Sequence, residues 1–267
     1  MQWKVLAQIG GILVGLWVTA GVAIPFVGYW GVGIVGVLTL VALGFGIYIA
    51  RMTARSRAIV DIMKGATDEA GRQRAIDALG DDASKDAMRA LARAQLIAQT
   101  DPQGAAKALE AIDIKKAPAM VQDDVRAQLA LMYLHNNRVR DARMLADEIR
   151  LDRRPDARSK GMYAAVMAEA YARSGSPDEA RKLVETYDPK DAEHAEVKAL
   201  LLRARVFTYY ALKKRGLVRE AMEALANIEP GMVAALAARG GQPELIKIAK
   251  QVLAAGGFAP KLQMKMR

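Results

Sequence analysis

Hydrophobic and polar positions divide this chain into two unequal parts. One uncharged apolar stretch runs from Val5 to Ala23, and a second from Gly31 to Ala50. Each matches the roughly 20 apolar residues that a membrane-spanning helix needs. Pro25 and Gly28 stand between them as turn formers. At roughly 1.5 Å per residue each stretch predicts a helix of about 30 Å, the thickness of bilayer hydrocarbon. From Ile59 onward the pattern changes: apolar residues recur three and four apart, in short segments separated by polar turn signals. That period predicts a succession of amphipathic helices. The expectation is therefore an all-α chain, a two-helix transmembrane hairpin followed by antiparallel helix pairs. The boundaries expected are a hairpin over 1–50 (spans about 5–23 and 31–50), a basic juxtamembrane helical segment over 51–85, a helical repeat domain over 86–255, and a basic flexible tail over 256–267.

Charge sharpens the membrane expectation. Lys4 is the one charged side chain in residues 1–50, whereas the whole chain carries 39 Lys and Arg against 29 Asp and Glu. Arg51, Arg55 and Arg57 follow the second apolar stretch, and the positive-inside rule then places both termini in the cytoplasm of a bacterial-type inner membrane. Trp3 and Tyr48, and Tyr29 and Trp30, stand where interfacial aromatics belong. A signal peptide is the rival reading of the first stretch, since Lys4 precedes an apolar run that ends in small residues. Gly31, Gly33 and Gly36 match the spacing of a dinucleotide-binding loop, but the match lies inside an apolar helix with no acidic residue about 20 positions on. Close helix–helix contact, together with Gly11 and Gly15, is the simpler use for these glycines.

Chemistry is sparse. There is no cysteine, which excludes disulfides, thiolate metal sites and thiol nucleophiles. The two histidines, His135 and His194, are far apart and fit no metal-ligand spacing. Asp81–Asp82 and Asp123–Asp124 are sequence neighbours, which point different ways on a helix, so neither pair makes an acid–base couple; helix N-terminal placement explains them. No nucleophile elbow or phosphate-binding loop is present. The expectation is a protein that is not an enzyme, with no cofactor and no metal. Six cations and no anion lie between Arg203 and Arg219, interleaved with Phe207, Tyr209 and Tyr210. Three readings stay open for that stretch: a solvated helix, a face that binds protein or anionic lipid headgroups, or a nucleic-acid surface, the last the least natural.

Ser176-Pro177-Asp178-Glu179 reads as a capping box with proline at the first helical position. It sits in a wider pattern: Tyr171, Gly175 and Ala180 have counterparts in Tyr133, Asn137 and Ala142, in Leu212, Gly216 and Ala221, and more poorly in Leu96, Thr100 and Ala105. The alanine separations are 142 − 105 = 37, 180 − 142 = 38 and 221 − 180 = 41. Ala130 and Ala168 supply a small residue in the preceding helices, replaced by Tyr209 in the last. Pro155, Pro189 and Pro230 follow the second helices. This arrangement resembles the tetratricopeptide-repeat family, whose period is about 34 residues. The resemblance implies an α-solenoid of helix pairs, with a plain helical bundle as the alternative.

The resemblance also implies a partner-binding groove lined by Gln128, Leu131 and His135 in one unit, Glu169 and Arg173 in the next, and Arg203, Phe207, Tyr210, Lys213 and Lys214 in the last. Some family members hold a peptide carboxylate with a set of cations; Ala127 and Ala165 stand where the first of those cations would be. The function expected from these features is a membrane-anchored scaffold or adaptor that binds a protein partner at the cytoplasmic face, with residues 5–50 in the lipid bilayer. The alternative is a subunit of an envelope export or biogenesis complex whose hairpin is the main functional element.

Overall fold

The structure is a computed structural model that describes residues 17–19, 30–80, 86–239 and 242–257. Among the described residues it is all-helical, with no strand. The chain divides into two compact units, residues 1–71 and 72–267.

The first unit is dominated by α1, Trp30–Lys64. Trp17, in a short helical stretch, donates its indole N–H to the Thr39 hydroxyl at 3.2 Å, and Thr39 donates in turn to the Val35 carbonyl at 2.7 Å. Most of the expected first span, 5–23, lies outside the described residues, as do Gly11, Gly15, the Asp81–Asp82 pair and the expected basic tail from 258 onward. Among the described residues no helix is long and apolar enough to cross a membrane. That overturns the expected multi-pass inner-membrane location with cytoplasmic termini and leaves the transmembrane hairpin without support. The apolar stretch from Gly31 is not a separate segment: the same helix runs on unbroken through Arg51, Arg57, Asp61 and Lys64. Among the described residues, Cβ atoms built on Gly33, Gly36, Gly44 and Gly46 would meet nothing within 4 Å; the expected contact with Gly11 and Gly15 lies outside them. Arg51 and Arg57 are exposed on this helix; the side chain of Arg55 lies outside the described ones.

The second unit is built from helices joined by tight turns. After α2 (Glu69–Leu79) come α3 (Ala87–Ile97), α4 (Pro102–Glu110), α5 (Ala119–His135), α6 (Val139–Asp147), α7 (Ala157–Arg173), α8 (Pro177–Thr186), α9 (Lys198–Ala211), α10 (Arg215–Ile228), α11 (Pro230–Arg239) and α12 (Pro243–Ala255). Short 3-10 turns at Leu151–Arg153 and Ala192–Val197 precede α7 and α9. Carboxylates start several of these helices. Asp86 accepts from the Met88 and Arg89 amides, Asp101 from Gln103 and Gly104, and Asp156 from Ser159, each satisfying amides that the first turn leaves free. Ser176 does not cap α8. Its hydroxyl instead accepts from Arg143 at 2.9 Å, and Glu179 pairs with the same guanidinium at 3.2 Å, so both halves of the expected capping box are engaged by α6.

Burial explains the layering. α7 is enclosed along nearly its whole length, from Tyr163 to Ala170, as a helix with apolar residues on every side must be. α6 and α8 bury only Ala142 and Ala146, and Ala180 and Val184, and keep one wet face. Each helix packs on its hairpin partner and on the next hairpin: α5 on α6 and α7, α7 on α8 and α9, α9 on α10. Ala105, Ala142 and Ala180 are fully buried and Ala221 nearly so, which lets the paired backbones approach closely.

The turns set a register that differs from the spacing read in the last unit. Asn137, Gly175 and Lys213 are the residues in left-handed conformation after α5, α7 and α9, with φ of 59°, 95° and 59°. In each turn the following amide closes on a tyrosine carbonyl: Arg138 on Tyr133, Ser176 on Tyr171, Lys214 on Tyr209. This is the six-to-one bond of a Schellman cap. The two intervals are equal: 175 − 137 = 38 and 213 − 175 = 38. Tyr209 is thus the counterpart of Tyr133 and Tyr171, not of the small residues Ala130 and Ala168. Val206 holds that place, and Ala130, Ala168 and Val206 are all fully buried. The Leu212, Gly216 and Ala221 match lies three positions late, because the left-handed position is a lysine rather than a glycine.

Candidate functional site

The register set by these turns stacks equivalent positions of α5, α7 and α9: Leu131, Glu169 and Phe207 on one row, Ala127, Ala165 and Arg203 on another. Glu169 is buried, and its Oε1 accepts from Arg173 at 2.8 Å and from Arg203 at 2.9 Å. Arg173 also donates to the Leu134 carbonyl and to the Asn137 side chain, both at 2.9 Å, and its guanidinium lies 4.8 Å from the centre of the Phe207 ring. Arg203 meets the His135 imidazole. Desolvation, then the charge of Arg203, holds the His135 pKa down to about 4, so the ring is neutral near neutral pH. Arg203 therefore stands where the series Ala127, Ala165 lacked a cation.

Five of the expected groove residues, His135, Glu169, Arg173, Arg203 and Phe207, thus meet in one cluster that ties three successive helices together. One carboxylate serves both guanidinium groups, and Glu169 and Arg203 are both more than nine-tenths buried. Gln128 and Leu131 lie beside it, half-buried, and Leu131 packs against the core. Two similar ties were not foreseen. Asp123, fully buried, holds Arg126 at 3.2 Å and Arg153 at 3.6 Å, while Asp124 accepts from the Tyr163 hydroxyl at 2.5 Å and pairs with Arg154. The Asp123–Asp124 pair therefore does not sit at a helix N-terminus. As expected of neighbours, its members point apart, and each carries an arginine partner. Burial, followed by the bond to Asp124, pushes the Tyr163 hydroxyl well above the usual phenol range. Farther out, Arg138 and Arg143 each lie 4.0 Å over a tyrosine ring, Tyr133 and Tyr171. The one sequence signal for the aspartate ties is the run of Arg150, Arg153 and Arg154 ahead of α7. Which acids those arginines meet depends on the register of the turns.

The remaining expected residues, Tyr210, Lys213 and Lys214, lie apart from this cluster. They line a cleft of about 590 Å³ where the end of α9, the turn into α10 and the start of α12 meet. Val218, buried, and Ile248, half-buried, supply its apolar wall, and Arg215 and Glu244 face each other across an ion pair of 2.6 Å. Of the six cations between Arg203 and Arg219, four are neutralised. Arg203 holds Glu169, Arg205 holds Asp188 at 3.3 Å, Arg215 holds Glu244 and Arg219 holds Glu223 at 2.9 Å. The Lys213 and Lys214 side chains have no hydrogen bond or ion pair among the described residues. Among the described residues, the cleft therefore presents two positive charges with no paired anion.

Asp191, Glu193 and His194 form the one group of metal-ligand type among the described residues. They are near each other because they share one 3-10 turn. His194 is buried against Gly161, where a Cβ would approach its Nδ1 to 3.2 Å and the Val197 methyl to 2.9 Å. Its ring also tilts against Tyr187, with centroids 5.6 Å apart, so its place is explained by packing. Comparison with known proteins adds no relative: no protein-family model, no curated protein and no solved structure matches this chain.

Proposed function

We propose that this chain is a helical-repeat scaffold, resembling the tetratricopeptide-repeat proteins, and that it binds a protein partner through its last repeat. The recurrence of one turn at Asn137, Gly175 and Lys213 carries the reading: each time a tyrosine carbonyl is closed by a six-to-one bond from the amide that follows a left-handed residue. Among the described residues, the principal helix packings join each hairpin to itself and to the next one, which supports an α-solenoid rather than a closed bundle, in which first and last helices would meet. Repeats of this kind expose extended surface on rigid elements, and the uncompensated charge of Lys213 and Lys214 marks one place on it. The buried cluster around Glu169 serves as a strut that fixes one repeat against the next.

The test is photo-crosslinking with the full chain in its native cells. A photoreactive residue replacing Tyr210 is expected to give a discrete adduct that the same residue at the remote, exposed Lys107 does not. Equal labelling at both positions, or none at Tyr210, contradicts the reading.

A further inference from the structure

The cleft at the α9–α10 turn combines three features that the fold does not require. Its two free ammonium groups border a space of about 590 Å³, within the range of pockets that hold compact ligands. Its wall offers Tyr210, Val218 and Ile248 as apolar surface. And Lys213 occupies a left-handed backbone position, φ 59°, which side-chain-bearing residues adopt at a cost. The two equivalent turns resolve that cost: Gly175 has no Cβ, and the Asn137 side chain accepts from Arg173. Among the described residues, the Lys213 side chain gains no hydrogen bond or ion pair in return. Lysines beyond a helix carboxyl end are ordinarily accounted for by the helix dipole, but such a role needs neither the left-handed position nor two adjacent free cations beside a cleft.

We propose that this cleft receives an acidic peptide segment of the scaffold's partner, with carboxylates on Lys213 and Lys214 and an apolar side chain against Tyr210 and Ile248. This rests on the scaffold reading above and names the chemistry of the segment that docks. Carboxylate is the charge complement of two unpaired ammonium groups. A nucleic-acid strand fits less well. It needs a run of free cations that tracks a backbone, and Arg215 and Arg219 are already held by Glu244 and Glu223.

The test uses the full chain and a fluorescent synthetic peptide with glutamates on both sides of a central leucine. The control peptide has glutamine at every glutamate. Binding is read by fluorescence anisotropy at several salt concentrations. The diagnostic protein is the double variant Lys213→Gly, Lys214→Ser. Glycine suits the left-handed turn and serine suits the position before α10, so this protein loses both ammonium groups while its local backbone is improved. The melting temperature is expected to stay level or rise by about 2 °C. The glutamate peptide is expected to bind saturably, to weaken with salt, and to lose at least about tenfold in affinity to the variant, whereas the glutamine peptide does not bind. Equal binding of the two peptides, or of variant and wild type, overturns the proposal. So does displacement of the peptide by an equal concentration of inorganic phosphate or single-stranded oligonucleotide, which would assign the site to free anions or to nucleic acid. Absence of binding by the glutamate peptide also overturns the acidic segment; the crosslinking at Tyr210 then decides separately whether the scaffold reading stands.

Discussion

Replacing Glu169 by glutamine removes the single negative charge that holds Arg173 and Arg203 in the interior. The three side chains are 3%, 11% and 7% exposed, so water can do little to replace the carboxylate. Glutamine keeps the shape and one acceptor oxygen, but the bonds at 2.8 and 2.9 Å lose their charge assistance and two guanidinium groups are left facing one another. Hydrogen bonds to charged groups are worth about 1.5–3 kcal/mol each, and breaking a buried ion pair by removing one partner costs about 3–5 kcal/mol. Because both bonds reach one oxygen, which in glutamine still has two lone pairs, the loss is that of the charge, about 3 kcal/mol. The same reasoning predicts relief when the second charge goes too. Adding Arg203→Met to Glu169→Gln leaves Arg173 with its bonds to Leu134 and Asn137 and fills the volume of Arg203 with an apolar chain. The double variant should therefore recover about 2 kcal/mol of the loss, a coupling of the size expected for side chains in direct contact. Urea unfolding of the full chain followed by far-UV circular dichroism measures all four corners of the cycle. A single-variant loss under about 1 kcal/mol, or strictly additive losses, would refute the idea that the cluster is a desolvated strut.

Three other perturbations probe the same packing. The folded pKa of His135, about 4, lies below the ordinary value of about 6.5. Between those values the unfolded chain takes up a proton that the folded one refuses, so stability is full above about pH 6.5 and falls as pH drops toward 4. The exposed outer edge of the residue screens the effect to about 1 kcal/mol, and urea midpoints across pH for wild type minus His135→Gln should carry that slope; a flat difference contradicts it. Gly161→Ala would place a Cβ 2.9 Å from the Val197 methyl and 3.2 Å from His194, both buried, so a loss of about 1–2 kcal/mol in thermal unfolding is expected despite the better helix propensity of alanine. Asp101→Ala removes the acceptor for the Gln103 and Gly104 amides and should cost about 1 kcal/mol in the same assay, with Asp101→Asn largely restoring it.

Much of the second unit is legible from residue spacing. The helical class follows from the apolar period, and the buried alanines Ala105, Ala142 and Ala180 from their place after the turns; Glu169, Arg173, Arg203 and Phe207 are grouped by the groove that the repeat resemblance implies, and they meet instead as a buried cluster between two helices. The errors have physical causes. In the last repeat a lysine takes the left-handed position that glycine marks elsewhere, and a reading guided by glycine lands on Gly216, three positions late. Ser176 looks like a helix cap because its local neighbours are right for one, yet Arg143 reaches it from the preceding hairpin. Spacing along a single chain does not reveal that Asp123 and Asp124 face Arg153 and Arg154, which arrive from the turn before α7. Residues 31–50 look like a lipid-length rod when counted alone. In the folded chain they are the front of a longer helix that continues into charge, and among the described residues nothing qualifies as a span.

The proposed scaffold requires a repeat whose period is the interval from Asn137 to Gly175. The most direct measurement duplicates 138–175 in place, adding one full period, beside a control that duplicates only 140–173. The full-period insertion is predicted to keep Glu169 of the second copy against Arg203, to raise total helical signal in proportion to chain length, and to unfold cooperatively at no lower urea concentration than the parent. The shorter insertion breaks the turn register and should unfold earlier and less cooperatively. Equal behaviour of the two insertions, or loss of cooperative unfolding in the full-period one, would contradict the repeat.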